Sequence, residues 1–138
     1  MTPPCIYRSL DPAKKEIRLL ELLPAPPDKQ IYASCRLSTV SLLDDKPRFA
    51  ALSYVWGDPS VTNTILLNGI RWQVTKNLAE ALKCLTPKAQ KYHQWGGKTL
   101  WLWADAVCIN QKNDPERSQQ VSLMADLYSS AHFVYSWL

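Results

Sequence analysis

The sequence predicts an α/β fold in which a mainly parallel central sheet is flanked by helices, with an added β-hairpin and N-terminal strands. Three observations predict it. Short apolar runs alternate with helical patterns in the second half of the chain, as they do where helices connect parallel strands. An Asn-Gly pair between two alternating runs indicates a hairpin. Alternating, β-branched residues from 31 to 43 indicate a strand ahead of it.

The stretch from residue 99 to residue 138 predicts one βαβ unit. Apolar runs at 100–106 and 132–137 predict two buried strands, and a helical pattern covers 115–129 between them. Ligands bind at the carboxyl ends of the strands in units of this kind. We therefore expect chemistry in the polar loop at 107–114.

Two further segments are expected to extend this sheet. The run at 50–56 is apolar and rich in small residues, which suits a central strand that is covered on both faces. Residues 64–74 form the hairpin around Asn68 and Gly69, with one apolar and one polar face. Residues 16–23 fit either a strand or a short helix.

Proline positions set the remaining boundaries. Apolar side chains recur at helical spacing over 77–86, and Pro87 is expected to end that helix because proline lacks the backbone N–H. Residues 88–98 are then a polar connection. The first 15 residues are rich in proline and charge, so we expect a loose N-terminal arm at 1–15 and a single domain at 16–138.

Composition and cysteine usage restrict the class of protein. The chain has 138 residues, of which 46% are hydrophobic, enough for one domain with a core that needs no staple. Its four cysteines lie far apart, without a C-x-x-C pair or a histidine cluster, so no metal site and no disulfide framework are expected. Reduced thiols indicate a cytoplasmic protein.

Membrane insertion and DNA binding are not expected. The longest apolar run, 100–109, is too short to span a bilayer and contains Asp105. Basic residues cluster between Arg71 and Lys98 within a net charge of +4. A recognisable binding module and interleaved aromatic residues are missing from this cluster, so a solvated face is favoured over a nucleic-acid or lipid surface.

The predicted topology brings seven polar residues to one concavity at the carboxyl ends of the central strands. The seven are Ser53, Tyr54, Asp105, Asn110, Gln111, Glu116 and Arg117. Glu116 is the candidate acidic catalyst because helical spacing puts it on the inward face of its helix. Its residue type alone favours a structural role in the first helical turn. Arg117 could neutralise a phosphate, or could lock the loop by pairing with Glu116 or Asp105.

Several linked motifs resemble the fungal heterokaryon-incompatibility (HET) domain, in order and in spacing. The segment 51–57 reads ALSYVWG, and 102–111 reads LWADAVCINQ. The further residues that carry the resemblance are Ile17, Arg18, Leu19, Leu20, Asn68, Gly69, Asn77, Leu78, Leu82, Glu116, Arg117, Gln120, Val121, Met124, Tyr128, Ala131, Trp137 and Leu138. The resemblance covers residues 16–138, and motifs in register are far more specific than any one of them.

The resemblance implies an effector domain of non-self recognition in filamentous fungi, which triggers programmed cell death as part of a larger sensor protein. It also implies a distant relation to Toll/interleukin-receptor (TIR) domains, whose flavodoxin-like fold signals by self-association. Some of those domains cleave NAD. The alternative function is therefore an NAD nucleosidase with NAD as substrate and Glu116 as the acidic residue, and no cofactor is required. Because the family pattern continues past Leu138, we expect a domain truncated at its C-terminus.

Overall fold

A computed structural model describes the backbone of residues 6–96 and 99–137. Within these residues, seven strands form one sheet and four α-helices accompany it. The strands are β1 (Glu16–Leu22), β2 (Ile31–Ser41), β3 (Phe49–Tyr54), β4 (Thr62–Leu67), β5 (Ile70–Thr75), β6 (Trp101–Trp103) and β7 (Phe133–Trp137). The helices are α1 (Lys76–Gly96), α2 (Asp105–Cys108), α3 (Asp114–Ser122) and α4 (Met124–Ser130).

The sheet has the strand order β5-β4-β2-β1-β6-β3-β7. Strands β6, β3 and β7 run parallel to one another, which confirms that the segments 50–56, 100–106 and 132–137 contribute to one sheet. Strands β2 and β4 are also parallel. The expectation of a mainly parallel sheet is nevertheless not confirmed, because β1 pairs antiparallel with both β2 and β6, and β4 pairs antiparallel with β5. The sheet is mixed. A connection without a helix joins β1 to β2, and such a connection turns the chain back on itself.

The first helix does not end at Pro87. It continues to Gly96 with Pro87 inside it, so much of the expected connection at 88–98 is helical, and residues 97 and 98 lie outside the described residues. Proline leaves the preceding turn short of a backbone donor. Next to the proline, the Thr86 hydroxyl donates to the Leu82 carbonyl at 2.8 Å. None of the described helices has both the length and the apolar character needed to cross a bilayer.

The second half of the chain is more segmented than its pattern predicts. Strand β6 ends at Trp103, and Asp105 begins the single turn of α2. The helix expected over 115–129 is two helices, α3 and α4, with a break at Leu123. The break changes which residues face the core. Leu123 is buried, whereas Val121 and Tyr128 are exposed. Gln120 lies on the inward face and is fully buried.

Apolar side chains of α1 cover one face of the sheet. Leu78 and Leu82 are fully buried in the same core cluster as Leu20 of β1. Large aromatic residues in central strands are expected to be buried and structural, and the apolar runs at 100–106 and 50–56 predict this for Trp103 and Trp56. Trp103 meets the expectation with 1% exposure. For Trp56 the expectation is wrong, because its side chain is 44% exposed. Strand β3 ends at Tyr54, so Trp56 has left the sheet and belongs to the following loop.

Two glycines occupy the left-handed region but differ in their surroundings. Gly69 of the hairpin has a φ of 79° and open space where a side chain would start. Gly57 has a φ of 74°, but a Cβ there would lie 2.8 Å from Nδ2 of Asn77, which donates to the Val55 carbonyl at 2.9 Å.

We expect Gly69→Ala to cost about 1 kcal/mol, from backbone strain alone. Gly57→Ala should cost about 2–3 kcal/mol, since it adds the loss of the Asn77 hydrogen bond to the same strain. Urea denaturation of both variants measures the difference. Equal losses would mean that the Asn77 contact contributes nothing to stability.

Candidate functional site

The carboxyl ends of the parallel strands hold a first group of predicted site residues. The Tyr54 hydroxyl donates to Oδ1 of Asp105 at 3.2 Å, and Nε2 of Gln111 donates to the Asp105 carbonyl at 2.9 Å. Burial, together with the neighbouring Asp105 carboxylate, raises the pKa of Tyr54 well above its ordinary value. Tyr54 therefore stays a neutral donor, and the three residues tie the end of β3 to the loop around α2.

Glu116 belongs to a second group, built around Arg18, which sequence analysis did not select as a site residue. Its Oε1 accepts from Nη2 of Arg18 at 2.7 Å, and its Oε2 accepts from Nη1 at 2.8 Å. The Arg18 and Glu116 side chains are 1% and 8% exposed. This is a buried, two-pronged ion pair, the geometry in which a guanidinium binds a carboxylate most strongly.

The N-terminal arm completes the surroundings of this ion pair. Arg18 also donates to the carbonyls of Cys108 at 3.1 Å and Arg8 at 2.7 Å. The Tyr7 ring covers the guanidinium with its centroid 4.7 Å away, and the Tyr7 hydroxyl donates to the Val107 carbonyl at 2.7 Å. Arg18 thereby connects the arm, the central strand β1, the turn of α2 and the helix α3.

The sheet register explains why Arg18 reaches this position. Leu20 of β1 lies opposite Leu102 of β6 in an antiparallel pair. Arg18, two residues earlier, is therefore level with Ala104, just past the carboxyl end of β6. The sequence contains a signal for it, namely a single arginine inside the apolar run of residues 17–20. An arginine in a strand that is covered on both faces needs a buried anionic partner.

Glu116 also organises the loop before its own helix. The backbone N–H of Asn110 donates to Oε2 of Glu116 at 2.6 Å. The side chain of Asn113 accepts from the Glu116 N–H at 3.1 Å, so Asn113, and not Asp114, is the N-cap of α3. Both oxygens of Glu116 are thus engaged by protein donors, and the contacts hold the loop between α2 and α3.

The predicted site residues fall into these two groups, with two members outside them. Ser53 is exposed at the end of β3. Arg117 has a side chain that is 53% exposed and lies 4.0 Å from Asp114, in the first turn of the same helix. A hollow of about 250 Å³ beside Glu116 lies between the arm and α3, and Glu116 is the only one of the seven among the residues described as lining it. The ion pair with Glu116 that was considered for Arg117 is made by Arg18.

Thiol and metal chemistry receive no support from the contacts of these groups. Cys108 is fully buried, and this burial raises its pKa to about 12, so that its thiol is protonated at neutral pH. Cys35, Cys84 and Cys108 are free thiols. Within 6–96 and 99–137, no cluster of three or more His, Cys, Asp or Glu side chains is placed to hold a metal ion.

Comparison with known protein families identifies the family of this chain. The family described as heterokaryon incompatibility protein (HET) matches residues 49–138. The chain belongs to the HET family. The matched segment of this HET domain includes Tyr54, Asp105 and Glu116, and so contains the first group of contacts and the acidic residue of the second. Arg18, the partner of Glu116, lies ahead of it.

A named relative extends the similarity of the HET domain over nearly the whole chain. It is the heterokaryon incompatibility protein 6, OR allele, of Neurospora crassa, which is 37% identical over 136 residues. The alignment covers 94% of this chain and 20% of that relative. The chain therefore spans about a fifth of the length of the protein that it matches. No solved structure gives a significant match.

The ion pair should make the stability of the HET domain depend on acid pH. Burial raises the pKa of Glu116, but the hydrogen bonds and charge of Arg18 and the Asn110 N–H outweigh burial and lower the pKa below its usual 4.5. A lowered pKa adds stability that is complete above the unfolded value and is lost as the pH falls through the folded value.

We therefore expect the difference in unfolding free energy between wild type and Glu116→Gln to stay constant above pH 4.5 and to shrink in more acidic buffer. Chemical denaturation across that range measures it. A difference that is the same at every pH would show that the Glu116 charge does not stabilise the fold.

Proposed function

We propose that this chain is an effector domain of fungal non-self recognition, which triggers programmed cell death through self-association in the cytoplasm. The observation that carries the proposal is the family match, together with the 37% identity to a heterokaryon incompatibility protein. That relative is about five times as long, which supports a module that acts within a larger sensor. Free, buried thiols at Cys35 and Cys108 suit a reducing compartment.

The geometry favours assembly over catalysis as the basis of this activity. A catalytic carboxylate has to reach a ligand, but both oxygens of Glu116 are bound by Arg18 and Asn110. In the NAD-cleaving alternative, Glu116 would have to leave a buried ion pair, and Arg18 would lose its countercharge. The motif residues thus hold the loop between α2 and α3 in place. We therefore look for the activity on the exposed surface of the domain.

Strand β7 offers such a surface. It is the last strand of the sheet, so one side of its backbone faces no other strand of the described chain. Phe133 and Val134 are 41% and 48% exposed on it. Natural sheets usually protect an edge with charges, proline or a covering segment, because an open edge pairs with other chains. None of the residues of the described β7 is charged and none is proline, which suits pairing with the β7 of a second copy.

Two measurements test the proposal with one variant. Val134→Lys puts a charge on the edge and should keep the purified chain monomeric in sedimentation experiments in which wild type self-associates. Inducible expression in a filamentous fungus should then kill cells with the wild-type chain and spare them with Val134→Lys. Val61→Lys is the matched control, because Val61 is 45% exposed and lies outside β7. It should behave as wild type.

The results separate the parts of the proposal. Killing by a Val134→Lys chain that stays monomeric would exclude self-association through β7 as the trigger. Failure of the wild-type chain to kill, despite assembly, would exclude an autonomous effector. Equal melting temperatures of the two lysine variants would establish that neither effect arises from unfolding.

A further inference from the structure

A second concave surface lies at the opposite edge of the sheet, at the amino ends of the parallel strands. Phe49, Trp101 and Phe133 begin β3, β6 and β7. Phe49 pairs with Trp101, and Phe133 pairs with Ala50, one residue further along β3. Phe49, Trp101 and Phe133 line a hollow of about 280 Å³ together with Arg48 and His132. None of the seven predicted site residues is among the residues described as lining it, so this hollow is separate from the loop between α2 and α3. It shares Phe133 with the exposed surface of β7.

A smaller hollow of about 180 Å³ adjoins the first one. Arg48 and His132 line both, and Lys46 and Ser130 line only the second. Ligand pockets have volumes of roughly 300–1,000 Å³ and combine an apolar wall with a few convergent polar groups. The two hollows together fit this description, with an aromatic part at Trp101 and Phe133 and a polar part at Lys46 and Arg48.

The polar part is one-sided in charge. Lys46, Arg48 and His132 line it, and no carboxylate is among the described lining residues. The nearest acids in sequence are Asp44 and Asp45, and Asp45 accepts from the Ser41 N–H at 2.7 Å at the end of β2. Arg48 is exposed and has no ion-pair partner within the described residues. Uncompensated cations in a concavity attract anions.

The walls of this surface are held in place by the sheet. The His132 N–H donates to the Phe49 carbonyl at 2.8 Å and ties the start of β7 to the start of β3. The Phe133 ring stands edge-on to Tyr135 with centroids 5.0 Å apart. Lys46 lies in the turn after β2 with a φ of 43°. A surface built in this way needs little ordering to bind a ligand.

We propose that the two hollows form one binding site for a small aromatic anion, that is, a planar ring carrying a phosphate or a carboxylate group. The ring lies against Trp101 and Phe133, where aromatic stacking is favourable. The anionic group lies between Arg48 and Lys46, within reach of His132. A phosphate and a carboxylate share the chemistry that this site recognises, and both are therefore tested.

Isothermal titration calorimetry on the full chain tests the site with four probes. Adenosine 5′-monophosphate and indole-3-acetate carry a ring and an anion, adenosine has the ring alone, and inorganic phosphate has the anion alone. We expect at least one of the two aromatic anions to bind, and to bind at least tenfold more tightly than adenosine and inorganic phosphate. The aromatic anion that binds identifies the charged group.

Two arginine variants locate the binding. Arg48→Gln should weaken the affinity for the bound aromatic anion about tenfold, the effect of one hydrogen bond to a charged group. Arg71→Gln is the matched control, because Arg71 is also exposed but lies on β5 at the far edge of the sheet. It should leave the affinity unchanged. Melting temperatures of both variants verify that they fold.

Three outcomes would overturn the proposal. The first is no binding of either aromatic anion by a chain that is folded. The second is binding of inorganic phosphate as tight as that of the aromatic anions, which would leave the ring without a role. The third is an equal loss of affinity in Arg48→Gln and Arg71→Gln, which would indicate attraction to net positive charge and no defined site.

Discussion

Replacing Glu116 by glutamine is expected to lower the free energy of unfolding by about 3–5 kcal/mol, because it leaves the buried Arg18 without a countercharge. The Arg18 side chain is 1% exposed, so water cannot replace the carboxylate. A loss of that size lowers the melting temperature of a domain of this length by roughly 10–20 °C. If cell killing depends on the folded loop, stability and killing should fall together.

The matched control for this prediction is Asp114→Asn. Asp114 lies in the same helical turn as Glu116, but its side chain is 86% exposed. Its removal should cost less than about 1 kcal/mol. A Glu116→Gln chain that melts within a few degrees of wild type and no longer kills would reverse the conclusion, since Glu116 would then act on a ligand and not as a lock.

A double variant shows whether the charges themselves are required. Replacing a buried ion pair by apolar residues of similar size is often neutral, whereas removing one partner is costly. Arg18→Met combined with Glu116→Leu should therefore recover part of the stability that Glu116→Gln loses. Recovery will be incomplete, because Arg18 also donates to the Cys108 and Arg8 carbonyls. A double variant less stable than Arg18→Met alone and Glu116→Leu alone would argue against a simple ion pair.

Trp103→Ala is expected to unfold the domain. Trp103 is 1% exposed and its ring packs edge-on against Tyr128 with centroids 6.0 Å apart. Truncation of a buried tryptophan costs about 3–5 kcal/mol, a large part of the 5–15 kcal/mol that is typical of a whole domain. Loss of the near-ultraviolet circular dichroism signal at 37 °C, or a melting temperature lowered by roughly 10 °C or more, would confirm it.

Trp56 offers a control of the same residue type. Its side chain is 44% exposed in the loop after β3, so Trp56→Ala should cost less than about 1 kcal/mol. The comparison separates burial from residue type. Similar melting temperatures for the two variants would show that the burial of Trp103 does not stabilise the domain.

The easiest strands to predict from this sequence are those that pair according to a local sequence pattern, such as a turn signal or an alternation of strands and helices. The hairpin follows from Asn68 and Gly69, and Leu67 pairs with Ile70 and Ile65 with Trp72 as its two-residue turn requires. The parallel trio β6, β3 and β7 follows from the alternation of strands and helices. The direction of β1 could not be predicted, because a short apolar run carries no information about its partner.

The candidate site shows the same limit. Helical spacing correctly placed Glu116 on an inward face, but it could not identify what lies opposite. Arg18 is 98 residues away in sequence, and only the strand order brings the two together.

Pro87 shows a different limit of sequence-based prediction. Proline ends most helices, yet here the packing of α1 on the sheet overrides a local preference, as tertiary contacts often do.

The position of β1 has a consequence for cutting the domain out of a longer protein. The segment matched to the family begins at residue 49, after β1 and β2. A fragment trimmed to that boundary would leave β6 with no neighbour on one side and would detach the β4–β5 hairpin from the sheet. The segment that matches the family is thus shorter than the piece of chain needed to form the whole sheet. An expression fragment that keeps the sheet and its ion pair whole has to begin at or before Tyr7.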